Sequence, residues 1–364
     1  MTDSKPTIKG LTARPVLVPF RRPVQTASFV IPQVPLVLID IQISDGTVGR
    51  SYVMGYAEWV LKPLVACLEA AGAMIAGQAL APTDLSALLR QRMLLISANG
   101  ITGITIGGID MALWDARAKA NGVPLATLLG AAPKPIQAYN SCGLWIKSPD
   151  ALADEAAELI EEGNYQALKI RIGRSDPKED VRAVRIVREA AGPDRKVMSD
   201  FNQSQSTAAA IERCAMLDGE GLAWFEDPVH HDNYEGHARV RAAVSTPVQT
   251  GENLSDAQKL QRAFSIGAMD YVMPDAGFIG GVTGWMQSAA VASVNDIPMS
   301  SHLYPEFSRH LLAATPTAHW LEFVDWASPV LAEPARVLDG HVTAPDKPGC
   351  GIEWDEAAVA KYLV

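Results

Sequence analysis

The sequence predicts an α/β protein, a barrel of eight parallel strands preceded by a smaller α+β domain. Two observations predict it. From Ile136 onward, short apolar segments alternate with stretches of helical composition such as PKEDVRAVRIVREAAG and DAQKLQRAFSIGA. The apolar segments are IQAYNSCG, ALKIRIG, KVMSDFNQ, LAWFEDP, PVQTGEN, DYVMPDAG, IPMSSHL and WLEFVDW, and eight strand–helix repeats close a parallel sheet into a barrel. Before that point the pattern differs, with strands first and helices after. A chain of 364 residues has length enough for one barrel and one smaller domain.

In the front part, LTARPVLVPF and PLVLIDIQISDG are rich in Val, Ile and Leu, and SDG marks a hairpin into TVGRSYV. From about Leu61 to Leu129 the spacing turns helical: LKPLVACLEAAGAMIAG, PTDLSALLRQRMLL and IGGIDMALWDARAKANG, with PTD and GID as starts and NG as a stop. These features bound a first domain over 1–130 and a barrel over 136–325. The remaining segment, 326–364, is rich in Pro and Gly with no clear helix before DEAAVAKYLV, and is expected to return to the first domain.

Charge and composition exclude several classes. A formal charge of -10, with Lys and Arg scattered, does not suit a surface that neutralises phosphates, so no nucleic-acid partner is expected. MTDSKPTIKGLTARP lacks an apolar signal core and no run approaches the roughly 20 apolar residues that span a bilayer, so a cytoplasmic protein without membrane contact is expected. The four cysteines, Cys67, Cys142, Cys214 and Cys350, lie far apart without a CxxC pair and read as reduced structural thiols.

Barrel chemistry sits at the carboxyl ends of the strands. Here those ends carry Lys169 and Arg171, then Asp200 and Asn202, Glu226, Glu252, Asp275, His302 and Glu322. Asp200, Glu226 and Glu252 recur every 26 positions, about one strand–helix unit, and so occupy similar heights on adjacent strands. Three carboxylates converging there repel one another unless a cation sits among them, and an all-oxygen set suits Mg²⁺. The alternative is that they cap the following helices. Asp275 and His302 end neighbouring strands, where a carboxylate can fix an imidazole tautomer and raise its basicity. His230, His231, His237, His310, His319 and His341 read as structural or surface residues; the pair at 230 and 231 borders the mouth but lacks metal-ligand spacing. Lys169 and Arg171, two apart on a strand, share the inward face and balance the acidic cluster.

In this order and spacing, KxR at Lys169, SDFNQS around Asp200, FEDP at Glu226, TGEN at Glu252, PDAGFIGGVTGW from Pro274, SSHL at His302 and HLLAATPTAHWLE ending at Glu322 resemble the enolase superfamily, in its mandelate racemase subgroup, from end to end. The resemblance implies a modified (β/α)₇β barrel under an α+β capping domain, with Asp200, Glu226 and Glu252 as Mg²⁺ ligands. It implies removal of a proton α to a carboxylate, the metal stabilising the enediolate, a chemistry of this superfamily. His302 with Asp275 is then an acid/base, a protonated Glu322 hydrogen-bonds the substrate carboxylate and Lys169 neutralises it, while Asn202 and Ser141 are further mouth residues. A homo-oligomer and a small carboxylic acid substrate are implied too.

One departure bears on the reaction. The subgroup's namesake has a second lysine, a base on the opposite face, where this chain has Arg171. An arginine, with pKa above 12, is a poor base. With His302 as the one base, dehydration of a hydroxy or sugar acid to a 2-keto acid is the leading expectation, Arg171 binding a substrate oxygen. Racemisation or epimerisation of an α-hydroxy acid is the alternative, and a non-catalytic carboxylate-binding barrel the rival from another class. Barrel hydrolases with clustered histidines would need an HxH on an early strand, and there is none. The stretch PVQTASFVIPQVP resembles a flap over the mouth near residues 20–34, offering Val24, Phe29, Val30 and Ile31 with Thr26 and Ser28 as small polar groups. Tyr56 and Trp145 are expected to add aromatic walls. So apolar a flap suits an apolar substrate, since burying an unpaired hydroxyl costs about 1–3 kcal/mol.

Overall fold

The computed structural model describes residues 6–364. Strands β1 (Ile8–Gln25), β2 (Val30–Ile43) and β3 (Val48–Met54) form an antiparallel sheet in that order. Four helices follow: α1 (Leu61–Ile75), α2 (Pro82–Arg92), α3 (Ile101–Ala120) and the short α4 (Leu125–Leu128). β1 and β2 run on past the sheet as a hairpin whose last pair is Gln25 with Val30, so the predicted flap is the tip of the domain's longest strands.

The barrel alternates except at one point, where α10 and α11 follow each other: β4 (Pro135–Asn140), α5 (Leu152–Glu161), β5 (Ala167–Arg171), α6 (Pro177–Ala191), β6 (Lys196–Asp200), α7 (Thr207–Leu217), β7 (Phe225–Glu226), α8 (Tyr234–Ala243), β8 (Val248–Thr250), α9 (Ala257–Ile266), β9 (Tyr271–Val272), α10 (Gly281–Val294), α11 (Pro305–Ala313) and β10 (Leu321–Phe323). The strands pair in parallel from β10 through β4 to β9. IPMSSHL closes the ring by single bridges, Val272 to Met299, Asp275 to His302 and Met299 to Ala318. The last strand has no helix after it, which makes the fold a (β/α)₇β barrel. Beyond it, β11 (His341–Thr343) pairs antiparallel with the start of β4, and α12 (Glu356–Tyr362) is capped by Asp355. Leu363 bridges Val16 and Trp354 Nε1 donates to Asp40 at 2.8 Å, so this tail touches the barrel first and the first domain after.

The barrel interior explains where the polar residues lie. Tyr139, Ala167, Met198, Trp224 and Trp320 form one buried cluster inside the ring. Side chains two apart on a strand share a face. Two positions further on stand Ser141, Lys169, Asp200, Glu226 and Glu322, a polar layer stacked on an apolar floor.

Among the contacts between the domains are two that involve α3. α3 begins at Ile101, seven residues before the expected GID start at Gly108, and Asp110 is not its cap. Asp110 is buried in mid-helix and accepts from Thr283 N (2.9 Å) and Thr283 Oγ1 (2.6 Å), serving the first turn of α10, whose N-cap Gly280 has no side chain to offer. Burial pushes the Asp110 carboxyl up to about 7 against those hydrogen bonds. Nearby, a Cβ on Gly107 would stand 2.1 Å from the backbone oxygen of Gly277, two residues after Asp275. Backbone cannot swing aside, so Gly107→Ala must push the domains apart. It should lower stability by about 1–3 kcal/mol in urea denaturation. Gly10→Ala, whose added methyl meets nothing within 4 Å, is the control and should change little.

Candidate active site

Lys169 and Arg171 are both buried, at 1% and 4% exposure. Lys169 Nζ touches a Glu226 oxygen, lies 2.6 Å from Glu322 Oε1 and 3.4 Å from Asp200 Oδ2. Burial alone would depress an ammonium pKa, but the three carboxylates outweigh it and raise Lys169 above its ordinary value. It is a fixed cation. Arg171 donates from Nη2 to Ser141 Oγ (2.9 Å), lies with its guanidinium 4.1 Å from the Trp145 ring centroid, and has Nε 3.7 Å from Asp200 Oδ2. That Nε is buried without a hydrogen-bond partner among the described residues, a spare donor.

His302 Nδ1 lies 2.7 Å from Asp275 Oδ2, whose other oxygen accepts from the N–H groups of Gly277 and Phe278. An ionised carboxylate only accepts, so the proton on this side belongs to His302 Nδ1, and Nε2 is the nitrogen turned toward the mouth. Tyr56 Oη, from the first domain, also reaches Asp275 Oδ2, at 3.3 Å. Burial works to lower the His302 pKa, but Glu252, Asp275 and Glu322 carry it up to about 10.

The predicted carboxylates are present at the strand ends but are not gathered into a bare cluster. Asp200 and Glu226 pair in register. Lys169 sits against Asp200 and Glu226, while Glu252 faces His302 Nε2 at 3.3 Å and accepts from Gln203 Nε2 at 2.8 Å. Like charges so close are kept apart by interposed cations. Burial pushes Glu226 up to about 8, with Lys169 pulling the other way, and raises Glu252 as well. The capping alternative has other occupants: Asp176, Ser206, Asn233 and Asp256 cap α6 to α9, leaving Asp200, Glu226 and Glu252 uncommitted to helices.

Three expectations need correction. Glu322 is not set up to carry a proton: although burial favours the neutral form, Lys169, His302 and Arg171 hold its carboxyl well below the usual range. Ser141 does not line the cavity; it is buried behind it, donating to Glu322 Oε1 (2.7 Å) and accepting from Arg171. Ser28 does not line it either. At the flap tip its Oγ donates to the backbone oxygen of Asn202, which latches the flap over the loop after β6. Asp275 and Glu226 likewise stand behind the surface, screened by His302 and Lys169.

A cavity of about 190 Å³ opens above these groups. Val24, Ile31 and Tyr56 line it as expected, with Lys169, Arg171, Asp200, Asn202, Glu252, His302 and Glu322 on its floor. Sequence reasoning missed Met54, Phe278, Leu303, Trp326, Gln203 and Asn253. Gln203, Asn253, Phe278 and Leu303 lie inside motifs already quoted and Trp326 follows Glu322 by four residues, but no spacing rule aims a loop side chain. The flap is tied down by Arg22, 2.8 Å from Glu162 and 3.3 Å from Glu158, and by Ile146 N donating to Gln25 O at 2.8 Å. Of the other histidines, burial pushes His237, His310 and His319 down to about 4, 3 and 4, leaving them neutral. His230 and His231 differ from expectation: with Asp232 they are the one group of three metal-ligating side chains, among the described residues, whose donor atoms lie within 4.8 Å of one another.

A capped (β/α)₇β barrel with three strand-end carboxylates, a buried lysine and a His–Asp pair at its mouth is the plan of the enolase superfamily. The chain belongs to the mandelate racemase / muconate lactonizing enzyme family: that N-terminal domain profile matches residues 8–130, and the enolase C-terminal domain-like profile matches 151–358. Among solved structures, an enolase from the alpha-proteobacterium bal199 with bound magnesium is 45% identical over 99% of this chain and all of that one, with a TM-score of 0.97. A Bradyrhizobium enolase complexed with magnesium and mandelic acid is 41% identical over the full length of both, with a TM-score of 0.95. L-talarate/galactarate dehydratase of Salmonella typhimurium is 32% identical over 72% of this chain and 66% of its own. D-galactarolactone cycloisomerase of Agrobacterium fabrum is 31% identical over 93% and 94%. Among the described residues, no helix is long and apolar enough to cross a membrane.

Proposed function

We propose that the protein is a Mg²⁺-dependent hydro-lyase that takes the α-proton from a small 2,3-dihydroxy carboxylate and releases a 2-keto acid. The observation that carries this reading is the single proton acceptor. His302, aligned by Asp275, presents Nε2 to the cavity, while Lys169 is held charged by three carboxylates and Arg171 is tied to Ser141 and Trp145. The dehydratase name of the Salmonella relative supports it.

Asp200, Glu226 and Glu252 are the residues that would hold Mg²⁺. The fit rests on their all-oxygen chemistry, on the upward shifts of Glu226 and Glu252, which a cation would relieve, and on Asn202 Oδ1, buried beside Asp200 without a partner among the described residues. When bound, Mg²⁺ supplies positive charge against the enediolate that forms as the α-proton leaves. Lys169 and the spare Arg171 Nε–H offer further positive charge to the substrate carboxylate and hydroxyl oxygens. A substrate carboxylate arriving at Lys169 places a second negative charge beside Glu322 and pushes it toward protonation, after which it can donate a hydrogen bond. Glu252 contributes most to the raised His302 pKa, so a cation held at Glu252 would lower it again and leave Nε2 able to take the α-proton; the β C–O bond then breaks as the imidazolium returns that proton to the departing hydroxyl. Water and an enol result, and the enol tautomerises to the 2-keto acid.

Val24, Phe29, Ile31, Met54, Phe278 and Trp326 favour an apolar or aromatic substituent over a polyol chain. The same wall, with mandelic acid bound by the Bradyrhizobium neighbour, supports a second reading, proton exchange at an aryl α-hydroxy acid. The exposed run Leu94, Leu95 and Ile96 supports self-association as a homo-oligomer. A 2-keto acid assay over 3-aryl and 3-alkyl 2,3-dihydroxy acids and over sugar acids, with Mg²⁺, tests the proposal. Keto acid should form, faster from the apolar series. Turnover of α-hydroxy acids without keto acid would replace dehydration by the second reading.

A further inference from the structure

A second cluster of ligating side chains stands outside the cavity, on the loop between β7 and α8. His231 is half-buried, and its protonation pattern can be worked out from its neighbours. Gln203 Nε2 donates to Glu252 Oε1 (2.8 Å) and to Asn253 Oδ1 (2.7 Å), which fixes its amide so that Oε1 is the acceptor. That oxygen accepts from His231 N (3.0 Å) and lies 2.8 Å from His231 Nδ1, so Nδ1 carries the proton. The lone pair is therefore on Nε2. It faces Asp232 Oδ2 at 3.5 Å, two acceptors with no hydrogen between them.

This is how a metal-binding imidazole is prepared, one nitrogen donating to a carbonyl oxygen and the other aimed at the ion. Ligands about 2.0–2.1 Å from a tetrahedral ion stand roughly 3.4 Å apart. His231 Nε2 and Asp232 Oδ2 are already at that spacing. The third member, His230, lies with its ring centroid 4.2 Å from that of His231 and offers a donor atom within 4.8 Å of both others. It is exposed and commits only a 3.3 Å contact from Asp232 N. Burial pushes His231 below its ordinary pKa, which keeps the ring neutral and able to ligate.

We propose that His230, His231 and Asp232 form a second metal site, for a borderline ion such as Zn²⁺, with water completing a tetrahedral set. Two imidazoles and one carboxylate suit that class of ion, whereas the all-oxygen mouth suits Mg²⁺. Gln203 links the site to the mouth.

The test uses the full-length protein saturated with Mg²⁺ and titrated with Co²⁺, then with Zn²⁺ to displace it. One equivalent of Co²⁺ should bind with the intense visible bands of a tetrahedral site, which an octahedral oxygen site does not give, and Zn²⁺ should abolish them. His230→Ala and Asp232→Ala, both exposed and expected to fold normally, should each weaken Co²⁺ binding at least tenfold. Absence of the bands in the wild type would overturn the proposal, as would wild-type affinity in both variants.

Discussion

His302→Asn should lower kcat by about 10²- to 10⁴-fold while leaving the fold intact, the range expected for loss of a positioned general base. Asn is close in size and can still donate to Asp275, so the packing survives and the proton acceptor does not. Both the 2-keto acid and the exchange of the α-proton with solvent should disappear together, since both begin at Nε2. KM should change little, because substrate charge is met by Lys169 and Arg171 and not by the imidazole. A variant retaining exchange but losing keto acid would show instead that His302 acts only on the departing hydroxyl.

Lys169→Met should have the largest effect on stability. It removes the cation from among Asp200, Glu226 and Glu322, all at 2% exposure or less. Leaving buried charge uncompensated costs about 3–5 kcal/mol. The sign with pH follows by linkage. In the wild type the Lys169 pKa is raised, so its contribution is complete below the unfolded value of about 10.4 and is lost as pH rises through the folded value. In the variant Glu226 and Glu322 lose the cation that lowers their pKa values and, being buried, hold protons more tightly folded than unfolded. Their penalty is therefore absent below about pH 4 and grows as pH rises above it. The stability gap between wild type and variant, by urea denaturation in chelator, should be wider at pH 8 than at pH 5. Added Mg²⁺ should narrow it by binding the folded state. A gap independent of pH would mean that Lys169 matters for packing and not for charge.

The polar ring was legible because two periodicities meet in it. One strand–helix unit advances the chain by about 26 residues, and alternation within a strand keeps Lys169 with Arg171, and Asp200 with Met198, on the inward face. Asp275 and His302 follow by the same rule. What escaped was set by loops and by tertiary choice. Ser28 was assigned to substrate for its place in the flap, but hairpin geometry turns its hydroxyl onto the Asn202 carbonyl. The GID start failed because Asp110 caps α10, across the domain boundary, while α3 starts at Ile101 without a side-chain cap. The Glu322 expectation failed because the charge on a buried carboxyl depends on which cations crowd it, and only the packed barrel brings Lys169 within 2.6 Å. The reading of His230 and His231 as structural or surface residues rests on ligand spacing, which does not anticipate that the turn brings them together with Asp232.

The central claim is a single base on one face of the substrate. It is tested most directly by incubating each enantiomer of an α-hydroxy acid that binds the Mg²⁺-loaded protein in deuterated solvent and following the α-proton by NMR. With His302 as the one acceptor, one enantiomer should exchange with retention of configuration and its mirror image should stay protiated. Exchange of both enantiomers, or inversion of either, would mean that Arg171 or another group accepts a proton from the opposite face, and would contradict the account.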